Sequence, residues 1–408
     1  MTPRDLSSDT CPDRAAMPFL DLAAPAFSTR SAAVRQARAR HWCARTPYGL
    51  AVLRHREVGQ LLRDRRLRQG SYAWPKIMAL EGSFAGFWTR SVISQEGPAH
   101  RRLRALAVPA LAPEHIDALK PAFDRIAADL AEALRDGDTC EFQSAFAIPF
   151  AGQAIAVLLG LPASDWQTIS HDASALGLAM GVDAKQHEPM FNAACDRLMD
   201  LADDLVARVR RGRDRESYIA RLVTGFDAAG LTDPQVLRDL IVISIFGGVD
   251  TTRSQLGLGM ALFVAHPRQW QGLRADPALV PNAIEEIIRT RPTTTWSTRE
   301  AIKDFEFGGL IIRRGETIHM LVHASARDPE IDQDPAFDIT AKRRVHFGFG
   351  GGAHHCLGQY VARTDMASAL TALSRVLARL WFDGTPEWLP DSGNTSPTRL
   401  PLGYETLP

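Results

Sequence analysis

Cysteine is scarce. Cys11, Cys43, Cys140, Cys195 and Cys356 are the five in 408 residues, with no Cys-x-x-Cys pair among them. That excludes a disulfide framework and an ordinary structural zinc site, and it fits a reducing compartment such as the cytoplasm. Net charge is also missing: 47 basic residues balance 47 acidic ones, so nothing global draws the chain to nucleic acid or to an anionic membrane. No long hydrophobic run is present either. The most apolar stretch, Phe146 to Ala163, is interrupted by Pro149, Gln153 and Gly160 and falls short of the roughly 18 apolar residues that a membrane span needs. Arg4, Asp5, Asp9, Asp13 and Arg14 precede any apolar segment, which is the wrong order for a signal peptide. What remains, 45% hydrophobic and 23% charged residues, is the balance of a globular protein.

Residues 1–16 are polar and read as a loose chain end, with the fold starting near Met17. Apolar spacing predicts helices over Ala32 to Ala44 and Val58 to Arg66, with a short strand at Leu50 to Leu53 between them. From Gln69 to Gly97 the pattern lapses into an aromatic-rich connection with Tyr72, Trp74, Phe84, Phe87 and Trp88, long enough to cover a ligand. Helical periodicity then dominates. Thr294 to Ile302, Phe305 to Ile312 and Thr317 to Val322 read as strands separated by Gly-containing turns, and a last helix is predicted over Leu357 to about Leu380. The expected architecture is mainly α with a smaller β-rich region: helix-rich over about 97–291, β-rich over about 292–340, a loop over 346–358, and one unit over 17–408.

The stretch Phe349-Gly350-Gly351-Gly352-Ala353-His354-His355-Cys356-Leu357-Gly358 carries the most chemistry. Its glycines allow close backbone approach, and a cysteine just before a helix meets free N–H groups and the positive helix end, which favour a thiolate. Its residues alone leave several roles open: a small buried apolar side chain, a zinc ligand beside His354 and His355, or a nucleophile with either histidine as base. The other four cysteines read as structural.

The same string resembles the haem-binding loop of the cytochrome P450 superfamily, Phe-Gly-x-Gly-x-His-x-Cys-x-Gly, matched at Phe349, Gly350, Gly352, His354, Cys356 and Gly358. The resemblance implies haem b as cofactor, with Cys356 the proximal thiolate on its iron, His354 at a propionate and Gly358 leaving room for the porphyrin face. His355 falls at a variable position. Three more motifs follow the family's order. Gly247-Gly248-Val249-Asp250-Thr251-Thr252 lies in a long apolar helix, begun by the capping pattern Thr232-Asp233-Pro234-Gln235 and ending near His266-Pro267. It resembles the oxygen-activating segment, where the helix is distorted, Gly247 and Gly248 make room for O2, Thr251 bonds the distal oxygen and Asp250 relays protons. Glu286 and Arg289 match the Glu-x-x-Arg bracket. The third arginine that this bracket usually gains after Phe-Asp-x-Thr is replaced by Ala341, leaving Lys342 or Arg343 to substitute. His100 and Arg104 match the propionate clamp, and so does Arg299 downstream.

The implied activity is insertion of one atom of O2 into a small organic substrate. Electrons would come from a separate ferredoxin and its reductase, since no dinucleotide fingerprint or iron–sulfur cysteine set is present. Lys342-Arg343-Arg344 is a candidate docking run for that donor. By resemblance, substrate contacts fall to Phe84, Phe87, Trp88, Ile243, Phe246, Gly247, Thr295, Trp296 and Thr395, with Trp74 nearby, and suit an apolar or aromatic molecule. Gly248 and Phe349 join the residues expected at the cofactor. A non-insertion oxidation, a haem-binding sensor and a haem-free thiol hydrolase are the alternative readings.

Overall fold

One helix organises the molecule. Gln235–Ala265 is continuous over 31 residues, about 46 Å at ~1.5 Å per residue. Asp233 Oδ1 accepts from the Gln235 amide at its start, and His266 closes it before Pro267 begins the next helix. Its composition is apolar nearly all round, as a helix surrounded by protein requires.

The computed structural model describes residues 12–181, 183–331, 334–391 and 393–407; Cys11 lies outside them. Helices are numbered here as α1 Ala32–Arg40, α2 His55–Leu61, α3 Gly82–Arg90, α4 Gly97–Ala110, α5 Lys120–Glu132, α6 Ile148–Leu158, α7 Trp166–Gly177, α8 Glu188–Arg210, α9 Tyr218–Ala228, α10 Gln235–Ala265, α11 Pro267–Ala275, α12 Val280–Thr290 and α13 Gln359–Val376. The architecture is mainly α with small sheets, in agreement with the expected fold class. Two apolar clusters meet along α10. Ile241, Ile245 and Val249 join Phe84, Phe191 and Tyr218, whereas Leu256, Met260 and Phe263 join Phe146, Phe150 and Trp270. The stretch 247–252 lies between these two anchorages.

Strands β1 Cys43–Thr46, β2 Gly49–Val52, β3 Leu67–Gln69, β4 Trp296–Ala301 and β5 Thr317–Leu321 form a sheet in the order β1-β2-β5-β4-β3. Its one parallel pairing is β2 with β5. Side chains alternate across a strand, so Ser297, Arg299 and Ala301 share one face of β4, and Trp296 and Thr298 take the other. A separate sheet pairs the C-terminal strand Pro401–Thr406 with Thr139–Glu141 and Leu377–Phe382.

Several boundaries differ from expectation. α1 stops at Arg40 because Cys43 and Ala44 pair with Val52 and Ala51. α2 stops at Leu61, and residues 67–69 extend as β3 against β4. The final helix ends at Val376, where Leu377 begins a strand. Within the segment expected to be a loose end, Pro12–Ala15 form a helical turn and Arg14 pairs with Glu316 at 2.7 Å. The aromatic connection is structured rather than a loop. Residues 70–77 are helical turns and 82–90 form α3, with Trp74 Nε1 donating to Ala179 O at 2.7 Å and Trp88 Nε1 to Ser71 O at 2.9 Å.

Candidate active site

The cysteine loop is held by its own backbone. Gly350 and Gly352 have φ of +70° and +68°, which side-chain-bearing residues rarely adopt. A Cβ on Gly352 would also stand 2.2 Å from Leu62 O of the turn after α2. The Cys356 amide donates to Phe349 O at 2.9 Å and the Gly350 amide to Phe347 O at 2.8 Å. Arg363 lies over the Phe349 ring at 4.5 Å. The Cys356 side chain is accessible to a water-sized probe, although protein surrounds it closely. Burial pushes its thiol pKa up, while the Gly358 amide and the charges of Arg104 and Arg363 pull it down. The Gly358 amide and the two guanidinium charges suit an anionic sulfur, and a bound cation would complete the balance. No cluster of three or more metal-ligating side chains occurs among the described residues, which removes support from the zinc reading.

Three cationic or donor groups surround this loop. His100 is 3% exposed, its Nε2 has no hydrogen-bond partner, and its ring lies 4.1 Å from that of His354. Burial and the neighbouring charges of His354 and Arg104 hold its pKa down at about 4. Arg104 donates to His355 O at 3.0 Å. Arg299 is 5% exposed and is bonded to Gln69 Oε1 and to Thr298 O. It makes no ion pair among the described residues, and burial lowers its pKa to about 10. A buried guanidinium that makes no ion pair among the described residues, with only the more distant charge of Glu96 supporting it, and an orphaned imidazole nitrogen are costly. They fit a dianionic cofactor edge such as the haem propionates. His354 differs from expectation: its Nε2 bonds Glu96 Oε1 at 2.9 Å instead of being left for a propionate.

A Cβ at Gly247 on α10, or at Gly358 just before α13, would meet nothing within 4 Å, so both positions leave space for a bulky group. Gly248 does not, because a Cβ there would lie 2.7 Å from Ile155 of α6. Its glycine allows the close packing of α10 against α6. Thr251 Oγ1 donates to Gly247 O. The expected distortion is absent as a break, since the helix runs continuously through 247–252. Asp250 is not an unpaired buried acid: it is ion-paired with Arg253 one turn on, and both side chains are 19% exposed.

The Glu286–Arg289 bracket is nearly solvent-free, with side chains 1% and 3% exposed and bonds of 2.6 and 2.7 Å. Arg343 supplies the third member, 3.4 Å from Glu286 Oε1 and bonded to Ala336 O at 2.7 Å. That inward orientation removes Arg343 from the proposed docking run, while Lys342 and Arg344 are exposed.

Most of the expected substrate contacts are engaged in packing or hydrogen bonds, with Trp88 also set edge-on to Phe246 at 6.3 Å. Phe84 and Phe87 are fully buried, and Trp88 stacks on Phe84 at 5.7 Å. Trp296 is on the face of β4 opposite Arg299, against Phe27 at 6.2 Å and His319 at 5.7 Å. Thr295 and Thr395 spend their hydroxyls on Gly393 N and Leu389 O. Ile243, Phe246 and Gly247, spaced along one α10 face, retain exposure. Glu96, Gln69 and Arg253 were not singled out; Arg253 alone had a signal, its spacing of three from Asp250.

A family model described as Cytochrome P450 matches residues 179–375. The chain is 35% identical over 406 residues to luteothin monooxygenase of Streptomyces thioluteus, covering 98% of each chain. It is 30% identical over 375 residues to nocardicin C N-oxygenase of Nocardia uniformis subsp. tsuyamanensis, covering 88% of this chain and 91% of that one. The crystal structure of CalO2 superposes with a TM-score of 0.84 at 28% identity, covering 94% of this chain and 99% of that one.

Proposed function

The chain belongs to the cytochrome P450 family and is a monooxygenase with haem b as cofactor, and from that premise we propose that it oxygenates a small, largely apolar or aromatic molecule of secondary metabolism. Its reaction uses O2 and electrons from a separate ferredoxin and ferredoxin reductase. Bound haem supplies oxygen activation, one atom entering the substrate and the other leaving as water.

The chain's own contributions divide by position. Cys356 offers its sulfur to the iron, and the Gly358 amide with Arg104 and Arg363 favours the thiolate. Arg104 and Arg299 would neutralise the propionates, and His100, held neutral by burial, would offer its unpartnered Nε2 as a hydrogen-bonding group. Thr251, tethered to Gly247 O, presents a hydroxyl beside the space at Gly247, and Asp250, held by Arg253, places a carboxylate one residue away for proton exchange with solvent. Ile243 and Phe246 exclude water from that side. The observation that carries the assignment is Arg299, a buried guanidinium that makes no ion pair among the described residues, on the same protein as a loop cysteine that has the Gly358 amide and the charges of Arg104 and Arg363 beside it.

Among the described residues no helix is long and apolar enough to cross a membrane, and Cys43, Cys140, Cys195 and Cys356 are all free thiols. A cytoplasmic location is the reading these free thiols support, with residues 17–408 working as one catalytic unit. Lys342 and Arg344 are the residues of the basic run left for a donor contact.

The test is turnover under isotopically labelled O2 with ferredoxin and reductase supplied, using luteothin, the compound in the relative's name, and a panel of apolar aromatics. Product carrying one labelled oxygen supports insertion. Product without label turns the assignment to desaturation or coupling.

A further inference from the structure

Arg291 has no part in the mechanism above. It follows α12 and is partly buried. Its guanidinium lies 4.5 Å from the centre of the Trp388 ring and makes no hydrogen bond or ion pair among the described residues. Stacking on an aromatic face attracts the charge but leaves the N–H donors of the fork unused. Burial and the like charge of Arg30 lower its pKa to about 10, and the charge of Asp391 opposes them. Arg291 lines a small pocket together with Arg30, Thr295, His323, Asp391 and Thr395. These residues come from distant segments: Arg30 precedes α1, Thr295 precedes β4, His323 lies in the helical turn Val322–Ser325 after β5, and Asp391 belongs to the C-terminal tail. The interior room is about 10 Å³, close to that of one water-sized group. Arg30 is exposed, whereas Thr295, His323, Asp391 and Thr395 are buried, so the pocket opens on the Arg30 side.

The charges of this lining do not balance. Asp391 is its acid, and Asp391 Oδ2 is taken by Ser28 Oγ at 3.0 Å and by the Thr29 amide and hydroxyl, each at 2.9 Å. His323 adds no charge: burial above all, then the charges of Arg327, Arg30 and Arg291, hold its pKa at about 3. Two guanidiniums therefore face one carboxylate that is bonded elsewhere, and a surplus positive charge in a half-closed site is costly. Donors are in surplus too. Thr295 Oγ1 accepts from the Gly393 amide at 3.1 Å, which leaves its own O–H to donate. His323 Nδ1 donates to Thr29 O at 3.4 Å, so its Nε2, buried without a partner, is an acceptor for water or a ligand hydroxyl on the same wall.

We propose that this pocket binds the carboxylate of an organic acid: one oxygen enters to accept from Arg291 and the Thr295 hydroxyl, the other accepts from Arg30 at the mouth, and the rest of the ligand lies outside. A monoanion matches the surplus of one positive charge, and a planar guanidinium suits a carboxylate in shape as well as in sign. Room for one atom-sized group admits a carboxylate oxygen and keeps a tetrahedral phosphate out. Bound there, the acid ties the segment before α1 to the end of α12. Its source is either a free organic acid or the acid end of the substrate itself, and the chemistry of recognition is the same for both.

The test is the melting temperature of the holoenzyme titrated with sodium acetate at constant ionic strength, with acetamide as the uncharged control. The wild type should rise saturably with acetate and not with acetamide, and the half-saturating concentration should be higher in Arg291→Met by about tenfold or more. The absence of a saturable rise, an equal rise with acetamide, or an unchanged half-saturation in Arg291→Met overturns the proposal. Should that variant fail to fold, Arg30→Gln decides, since Arg30 is exposed: half-saturation should move up severalfold, and an unchanged value overturns the proposal equally. Octanoate separates the two sources. A Soret shift that Arg291→Met loses assigns the site to the substrate's own carboxylate, and a melting rise without a Soret shift assigns it to a separate acid. The acetate titration does not rest on the monooxygenase reading, so a protein without a thiolate-type carbonyl spectrum would sink that reading and leave this result standing.

Discussion

Replacing Arg289 with methionine removes the cation from the most deeply buried ion pair of the site. Arg289 Nε and Nη2 donate to Glu286 Oε2 and Oε1 at 2.6 and 2.7 Å. Arg289 also reaches Ala326 O, Pro335 O and Ala336 O at 3.1 to 3.2 Å, joining α12 to the segments that lead into the cysteine loop. In the variant Glu286 keeps the Asp338 amide at 3.0 Å and Arg343 at 3.4 Å but loses both short bonds, while its side chain remains 1% exposed. Breaking a buried pair by removing one partner costs about 3–5 kcal/mol, a large part of the roughly 5–15 kcal/mol that holds a protein folded. Urea unfolding of the purified protein, followed by circular dichroism and by haem absorbance, should show that loss at neutral pH. A loss below about 1 kcal/mol, the range of an exposed pair, would refute the reasoning.

Three further outcomes follow from named contacts. Gly352→Ala combines a φ of +68° with a Cβ 2.2 Å from Leu62 O; an L residue there costs about 1–2 kcal/mol before the clash, so the ratio of haem to protein absorbance should fall, and a wild-type ratio would contradict the loop geometry. Glu285 bonds Arg363 at 2.6 Å and His346 at 3.1 Å; burial raises its pKa, but those bonds outweigh it and hold the carboxyl at about 2. Its stabilising effect is therefore complete above the unfolded value of about 4.3 and fades as pH falls to about 2. With a side chain 38% exposed, the pair is worth about 1 kcal/mol after screening. Melting temperatures of wild type and Glu285→Gln should converge over that window, and a constant gap would count against it. Thr251→Ala should consume O2 and reductant while yielding peroxide, with product formation down by up to about 10²-fold; full coupling would take Thr251 out of the mechanism.

The cysteine loop, the Glu286–Arg289 bracket and the basic residues His100, Arg104 and Arg299 were legible in the sequence because their chemistry demands fixed residue types at fixed spacing. What was not legible depends on chain segments meeting in space. Arg30, Arg291, His323 and Asp391 come from separate segments, and no local pattern announces their meeting. Glu96 takes the His354 nitrogen across a separation that no motif spans. Trp296 was assigned to the pocket by resemblance, but its odd separation from Arg299 along the strand puts it on the opposite face. Aromatic residues at 84–88 are equally consistent with a cover over a ligand and with a core, and tertiary burial against Phe191 settles them as core. Arg343 read as part of a surface charge run, yet Glu286 and the Ala336 carbonyl turn it inward.

The most direct test of a thiolate-ligated haem at Cys356 is the absorption spectrum of the purified protein after reduction and exposure to carbon monoxide. The wild type should give the strongly red-shifted Soret band of a thiolate-ligated carbonyl, and Cys356→Ser should lose it. A colourless preparation, or a Cys356→Ser protein that keeps the band, would contradict the account.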